Sequence, residues 1–182
     1  MIAPTTVSAQ ALPAAVVAVV DLDKVSTDCN ACKKASLTLR AQVTALQARE
    51  KTLATPLQAE GKSIQAAVEA LGGKEPDATL QARIKAFQTK QQQGAAELQS
   101  QQAQIQRNSA YVQKQIQDKL GPIYTQVMQK RGATVLIEVG STLATSANID
   151  VTGDVVASLN TALPSIQTTA PAEAKPAQPQ GR

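Results

Sequence analysis

The sequence predicts an α+β protein, with a small β-rich oligomerisation body and a long antiparallel two-helix coiled-coil arm. Three observations predict this fold. β-Branched segments lie near both ends of the chain, a heptad pattern of apolar residues fills the middle, and aromatic residues make up only 2% of the 182 residues. Because aromatic side chains supply much of the buried area in a globular core, this chain needs extended helices or a second subunit to complete one.

Composition excludes several classes of function. The sequence has no histidine, which removes the usual general base and the commonest metal ligand. It contains no G-x-G-x-x-G or P-loop pattern, and neither an aromatic platform nor a dense basic cluster for nucleic acid. We therefore predict a protein that is not an enzyme, with no catalytic residues, no metal site, no cofactor and no nucleic-acid partner.

The first half of the chain predicts a strand and then a long helical hairpin. Residues 15–20 form a β-branched run that is typical of a buried strand. Across residues 29–71, apolar residues recur at heptad positions a and d, which predicts a coiled-coil helix. Residues 72–77 contain two glycines, a proline and an aspartate, which indicate a helix stop and a new cap. The second helix is predicted over residues 77–131, antiparallel to the first because the turn is short.

The second half returns to the body. Residues 133–139 predict a strand, and Gly140-Ser141 predicts a turn into a short return strand at residues 142–146, forming a hairpin. A short helix follows and ends at Pro164. The predicted β-sheet is too small to be stable alone and leaves its edge strands exposed, so we expect an oligomer. The predicted divisions are residues 15–28 with 120–163 for the body and residues 29–119 for the arm.

Both termini are expected to lie outside these two parts. Residues 1–14 are interpreted as a residual signal peptide or flexible N-terminus, because Val7-Ser8-Ala9 and Ala9-Gln10-Ala11 suit signal-peptidase cleavage. A floppy cytosolic N-terminus is the alternative. Residues 164–182 are rich in proline and alanine and predict a disordered tail. No run reaches the roughly 18–20 apolar residues that span a bilayer, so a soluble, exported protein is expected.

Two positions in the helical hairpin weaken it. Pro56 falls inside the first helix, where proline removes a hydrogen bond, and Gly94 falls at the same level of the second. One interpretation is a hinge halfway along the arm. The alternative is that the helices tolerate both residues, which then have no mechanical role.

Cys29 and Cys32 form a C-x-x-C motif, the only motif in the sequence whose side chains suggest redox chemistry, a disulfide or metal binding. Both fall on the coiled-coil seam, where cysteine packs as a small hydrophobe, and in an oxidising compartment they form a candidate disulfide. A redox role is an alternative, although the thioredoxin-like setting is absent. A metal site is the third, although further ligands are lacking.

Positive charge is concentrated in the middle of the chain. Residues 40–131 contain 13 Lys or Arg and 7 Asp or Glu. This excess fits an ordinary solvated helix surface, or alternatively a weak attractor for acidic partners and anionic lipid headgroups.

The order of these elements resembles the Skp/OmpH family of periplasmic chaperones. Residues 16–25 resemble that family's opening strand and helix start, and Gly121-Pro-Ile-Tyr124 with residues 130–139 resembles its return from helix to strand. Residues 143–152 with Val155-Val156 resemble its closing strand and C-terminal helix. The resemblance covers about residues 15–163. The C-x-x-C, Pro56 and the proline-rich tail depart from the family pattern.

The resemblance implies a periplasmic homotrimer whose arms surround a cavity. It also implies an ATP-independent holdase that binds unfolded outer-membrane proteins and keeps them from aggregating. The arm is less basic than expected for the family, which puts strong attraction to lipopolysaccharide in doubt. Clients are expected to contact the inner arm faces, at Leu46, Leu53, Leu57, Ile64, Leu80, Ile84, Phe87 and Leu98.

Two other functions fit the same sequence. A structural coiled-coil adaptor or spacer of the cell envelope would bind one folded partner tightly and would not suppress aggregation. A thiol-redox protein would require a reactive pair at Cys29 and Cys32.

Overall fold

The computed structural model describes residues 13–171, which contain four α-helices and two β-strands. Two compact units are present: residues 13–32 with 116–164, called the body here, and residues 33–115 with 165–171, called the arm. Residues 1–12 of the predicted N-terminal remnant and residues 172–182 of the predicted tail lie outside the described residues. The elements in chain order are β1 (Val17–Val20), α1 (Leu22–Asp28), α2 (Asn30–Glu69), α3 (Ala78–Arg131), β2 (Val135–Glu138) and α4 (Thr152–Ala162).

The body contains a two-stranded parallel sheet formed by strands from distant parts of the chain. β1 pairs with β2 in a register that runs from Val17 opposite Val135 to Val20 opposite Glu138. On its other side, β1 meets the chain through a single bridge, in which the Val151 N–H donates to the Val19 carbonyl at 2.9 Å. Pairing of strands from both ends of the chain is therefore confirmed, although the described sheet holds two strands and not three.

The predicted hairpin at residues 133–146 is wrong. Val139–Ser141 forms a 3-10 turn, and residues 142–146 form no strand. A two-residue hairpin turn needs a positive φ, whereas the described positive-φ residues are Gly72, Gly73 and Gly132 and do not include Gly140. The chain therefore leaves β2 without folding back onto it.

Apolar residues from α1, α3, α4 and β1 form the core of the body. Val19, Val25, Val127, Val155 and Leu159 are at most 2% exposed. Burying a valine or leucine side chain contributes about 1.5–3 kcal/mol, so each of these residues stabilises the small body substantially.

Polar contacts fix the entry to α4 in the body. The buried Thr152 accepts a hydrogen bond at Oγ1 from the Asp21 N–H, at 2.9 Å, and its own N–H donates to Asp150 Oδ1 at 2.8 Å. Hydrogen bonds from the Thr152 side chain and from the Thr152 N–H hold the pKa of Asp150 below its ordinary value, since both stabilise the carboxylate. Asp21 also caps α1, because its side chain accepts a hydrogen bond from the Lys24 N–H at 2.8 Å.

An ion pair between α3 and α4 predicts a loss of stability in acid. Arg131 Nε donates to Asp154 Oδ2 at 2.6 Å, and Lys130 lies 3.4 Å from Oδ1, so the pKa of Asp154 is lowered. A lowered folded-state pKa stabilises the protein above the unfolded pKa, and this stabilisation is lost as pH falls through the folded value. We expect the difference in unfolding free energy between wild type and Asp154→Asn to shrink between pH 5 and pH 2, as measured by urea denaturation. A difference that stays constant over this range would contradict the assignment.

The helical hairpin of the arm agrees with the sequence prediction. α2 ends at Glu69 and α3 begins at Ala78, with Asp77 Oδ1 accepting from the Leu80 N–H at 2.8 Å. Gly72 and Gly73 have φ values of 56° and 89°, which favour glycine at this turn. Within residues 13–171, none of the helices combines the length and apolar character that crossing a membrane requires.

Residues 165–170 form an extended segment of the arm, called the strap here. Its backbone is hydrogen bonded to side chains of Gln42, Asn108 and Gln115. The prediction of a disordered tail from residue 164 is therefore wrong for these residues. Composition predicted disorder because the segment has little apolar surface, whereas amide side chains distant in sequence hold its backbone.

Candidate functional site

A groove in the arm is lined by residues of both long helices, α2 and α3. Its cavity volume is about 430 Å³. Leu53, Pro56 and Leu57 supply its apolar surface, and charged and amide side chains surround them. The residues that line this arm groove are Arg49, Leu53, Pro56, Leu57, Glu60, Lys90, Gln93, Gly94 and Glu97.

Residues of α2 contact residues of α3 in reversed sequence order, as a chain reversal at residues 70–77 requires. Arg49 pairs with Glu97 and Glu60 with Arg83, so the residue number on α3 falls as that on α2 rises. Apolar contacts follow the same order, because the Phe87 ring lies against Gly61.

Two ion pairs flank the apolar part of the arm groove. Arg49 donates to both carboxylate oxygens of Glu97, at 2.7 and 2.9 Å, and Arg83 does the same to Glu60, at 2.7 and 3.2 Å. Hydrogen bonds from the arginines lower the pKa of Glu97 and of Glu60, so both carboxylates stay ionised at neutral pH. All four side chains are 37–43% exposed, so water screens the pairs and they orient the helices more than they stabilise them.

Pro56 and Gly94 line the same groove, at the level where the sequence interpretation placed a hinge. α2 continues through Pro56, although proline cannot donate to the carbonyl four residues before it. Thr52 and Thr55 donate their hydroxyls to the carbonyls of Ala48 and Lys51, a contact that tends to bend helices. The hinge itself stays a prediction.

The residues predicted to contact clients lie mainly in the seam between α2 and α3. Ile64 is buried, at 9% exposure, and the others are half-buried. Leu53 and Leu57 line the arm groove and are the members best placed to touch a bound molecule. The remaining half-buried members of the set are Leu46, Leu80, Ile84, Phe87 and Leu98.

Sequence reasoning missed the apolar side chains that the arm exposes. Leu37 is 65% exposed, and Val43 and Val68 are each 42% exposed. Val43 occupies an a position of the predicted heptad pattern, and Leu37 follows the a position of Ser36 by one residue. The offset of Leu37 from the heptad register was an available signal, since it moves this residue off the seam, whereas the register gave no sign of the exposure of Val43.

Cys29 and Cys32 are joined in a disulfide in the body. Cys29 is fully buried and Cys32 is 7% exposed, and the Cys32 N–H lies 3.2 Å from Cys29 Sγ as α2 begins. A redox pair needs an accessible sulfur, so this burial favours a structural role. Among residues 13–171, no group of three or more Cys, Asp or Glu side chains is placed to hold a metal ion.

Removing the disulfide is expected to destabilise the body by about 2 kcal/mol, from the loop-closure entropy of so short a loop. Urea denaturation of a Cys29→Ala/Cys32→Ala chain measures this loss, and wild type in excess dithiothreitol should lose a similar amount. Prevention of aggregation should be unchanged at temperatures where the variant stays folded. Loss of that activity in a folded variant would instead support a thiol-redox function.

The comparisons with known proteins identify a family. Residues 16–159 match the family described as "Outer membrane protein (OmpH-like)". A crystal structure of a candidate outer membrane chaperone (OmpH-like) from Caulobacter crescentus superposes with a TM-score of 0.69 at 16% identity, and covers 90% of this chain and 95% of that one. No curated protein matches at a significant level. The family match spans well over half of the chain, so the chain belongs to the OmpH-like family.

Proposed function

We propose that this chain is an ATP-independent periplasmic holdase that binds unfolded outer-membrane proteins and keeps them from aggregating. Membership of the OmpH-like family supports a chaperone role, and the similar Caulobacter structure is described as a candidate outer membrane chaperone. The single observation that carries the proposal is the arm groove, where leucine side chains lie open between flanking ion pairs on a long polar arm.

This surface suits a client that has no fixed shape. Leu53 and Leu57 offer contact to apolar side chains of an unfolded chain, while the charged and amide groups around them keep the arm hydrated. Each contact of this kind is weak, so binding depends on many of them and is reversed as the client folds elsewhere. Such binding needs no nucleotide. The excess of basic residues over residues 40–131 adds weak attraction to acidic clients and to anionic lipid.

The proposal includes a homotrimer that assembles through the body. Val16, Val17 and Val135 on or beside the small sheet are 50%, 36% and 38% exposed, and the Leu143 side chain is fully exposed. Apolar residues grouped on a two-stranded sheet are typical of a surface that another subunit covers. Three copies would bring three arms around one client.

An aggregation assay tests the proposed function. A urea-denatured outer-membrane β-barrel protein is diluted into buffer with and without the chain, and light scattering is followed while the mass of the chaperone is measured by light scattering coupled to gel filtration. We expect suppression near one trimer per client without ATP, and the mass of a trimer. Unchanged aggregation, with tight binding to one folded envelope protein, would favour the structural adaptor.

A further inference from the structure

The strap is held to the arm by side-chain amides that bind its backbone. Gln115 forms two hydrogen bonds with one residue: its Nε2 donates to the Gln167 carbonyl at 2.8 Å, and its Oε1 accepts from the Gln167 N–H at 3.0 Å. The side-chain amide therefore binds Gln167 as a neighbouring strand of a sheet would bind it.

A second amide cluster holds the strap farther along. Asn108 Oδ1 accepts from the Ala170 N–H at 2.8 Å and from Gln104 Nε2 at 2.8 Å. Asn108 Nδ2 donates to Gln42 Oε1 at 2.9 Å, and Gln42 Nε2 donates to the Thr168 carbonyl at 3.3 Å. Asn108 is 4% exposed, so each of its polar atoms depends on these partners.

The contacts select an extended backbone and not a particular sequence. Ile166, Thr168 and Ala170 are half-buried while the residues between them are exposed, which is the alternation of an extended chain. The described hydrogen bond to a strap side chain is from the Tyr111 hydroxyl to Gln167 Oε1, at 3.5 Å, and Gln167 is exposed. Any polypeptide that is extended and carries N–H groups at the right spacing satisfies the same amides.

We propose that Gln42, Asn108 and Gln115 form a binding site for extended polypeptide backbone, called the amide track here, and that the strap occupies it until a segment of an unfolded client displaces it. This inference rests on the proposed function and adds a second type of contact to it. The arm groove accepts apolar side chains, whereas the amide track binds the main chain that all unfolded proteins share. Unfolded barrel proteins are suitable ligands, because their strands favour extended conformations with unpaired backbone groups.

Removing the strap is expected to tighten client binding. A site occupied by its own chain shows an affinity reduced in proportion to the fraction that is free. We expect a chain ending at Pro164 to bind a urea-denatured outer-membrane β-barrel protein about tenfold more tightly than the full chain, equivalent to about 1.4 kcal/mol.

A full-length variant separates the strap from the residues beyond it. Gln167→Pro removes the N–H that Gln115 binds, and should tighten client binding as truncation does. Thr169→Pro is the matched control, since the described structure gives its N–H no hydrogen bond, and it should bind as wild type does. Equal client affinity of the full chain, the truncated chain and Gln167→Pro would overturn the proposal.

The track itself is tested in the truncated chain. Gln115→Ala should weaken client binding several-fold without disturbing α3, because alanine is a strong helix former. Gln117→Ala is the matched control, an exposed glutamine two residues away on the same helix. Equal affinities of the two variants would contradict the amide track.

A short peptide distinguishes failure of this inference from failure of the proposed function. A fluorescein-labelled peptide of residues 163–171 and a scrambled version of it should both bind the truncated chain, with a dependence on Gln115. Peptide binding without suppression of barrel-protein aggregation would reject only the proposed holdase function. Suppression of aggregation with no binding of either peptide, or binding of the native order alone, would reject only the backbone-binding track.

Discussion

Replacing Leu159 by alanine is expected to lower the free energy of unfolding by about 2–5 kcal/mol. Leu159 is fully buried on α4, and the buried apolar residues of the described chain include no aromatic side chain. The cost combines the lost transfer free energy with the cavity that remains. Urea denaturation followed by circular dichroism measures the change directly.

Leu37→Ala provides the matched control for this substitution. Leu37 is 65% exposed, so its replacement should change the free energy of unfolding by no more than about 0.5 kcal/mol. Similar losses for the two variants would show that the body core is not organised around α4 as the structure has it.

Replacing Pro56 by alanine is expected to stabilise α2 by up to about 3 kcal/mol and to stiffen the arm. Alanine restores the N–H that proline lacks, so the carbonyl of Thr52 gains its helical partner. If the hinge sets the size of the cavity, protection from amide hydrogen exchange should rise around residues 52–58 and the largest client that is bound should become smaller.

Two further variants separate a hinge from a general effect of proline. Pro122→Ala makes the same change within α3 of the body, and should leave the exchange of residues 52–58 and the client capacity unaltered. Gly94→Ala should stiffen α3, because alanine is a stronger helix former than glycine. The added Cβ fits, since it would lie at an ordinary contact distance of 3.7 Å from Leu53 Cδ1. If amide hydrogen exchange and the largest client that is bound are unchanged in both Pro56→Ala and Gly94→Ala, the two residues do not form a hinge.

The arm was predictable because its signals are local. Heptad spacing gave α2 and α3 their extent, and the glycines at positions 72 and 73 gave the turn its place. The residues that lie opposite each other on the two helices followed from the same numbering, so Pro56 and Gly94 were placed at one level without coordinates. Side-chain exposure was less predictable, since Val43 lies on the heptad pattern and is still 42% exposed.

The body was predictable only in outline, because its contacts join residues more than a hundred positions apart. Strand runs at residues 15–20 and 133–139 were visible, but their parallel pairing depends on tertiary packing. The prediction of a hairpin was wrong at Gly140, because this glycine does not adopt the positive φ that the turn requires.

The strap shows a different limit of sequence reasoning. Residues 165–170 carry little apolar surface and no regular sequence pattern, so their composition predicts disorder. The order of the strap depends on hydrogen bonds from Gln42, Asn108 and Gln115. In the sequence these residues cannot be told apart from the other polar residues of the helices. Only the structure brings these side chains to one backbone.

Site-specific photo-crosslinking tests most directly the central claim, that the arm holds an unfolded client. A photoreactive amino acid is placed at Gln93, which lines the arm groove, or at Gln126, an exposed glutamine of the body. With a urea-denatured outer-membrane β-barrel protein, crosslinks are expected from position 93 and to be weak or absent from position 126. Crosslinks from position 126 alone, or from neither position while aggregation is still suppressed, would contradict it.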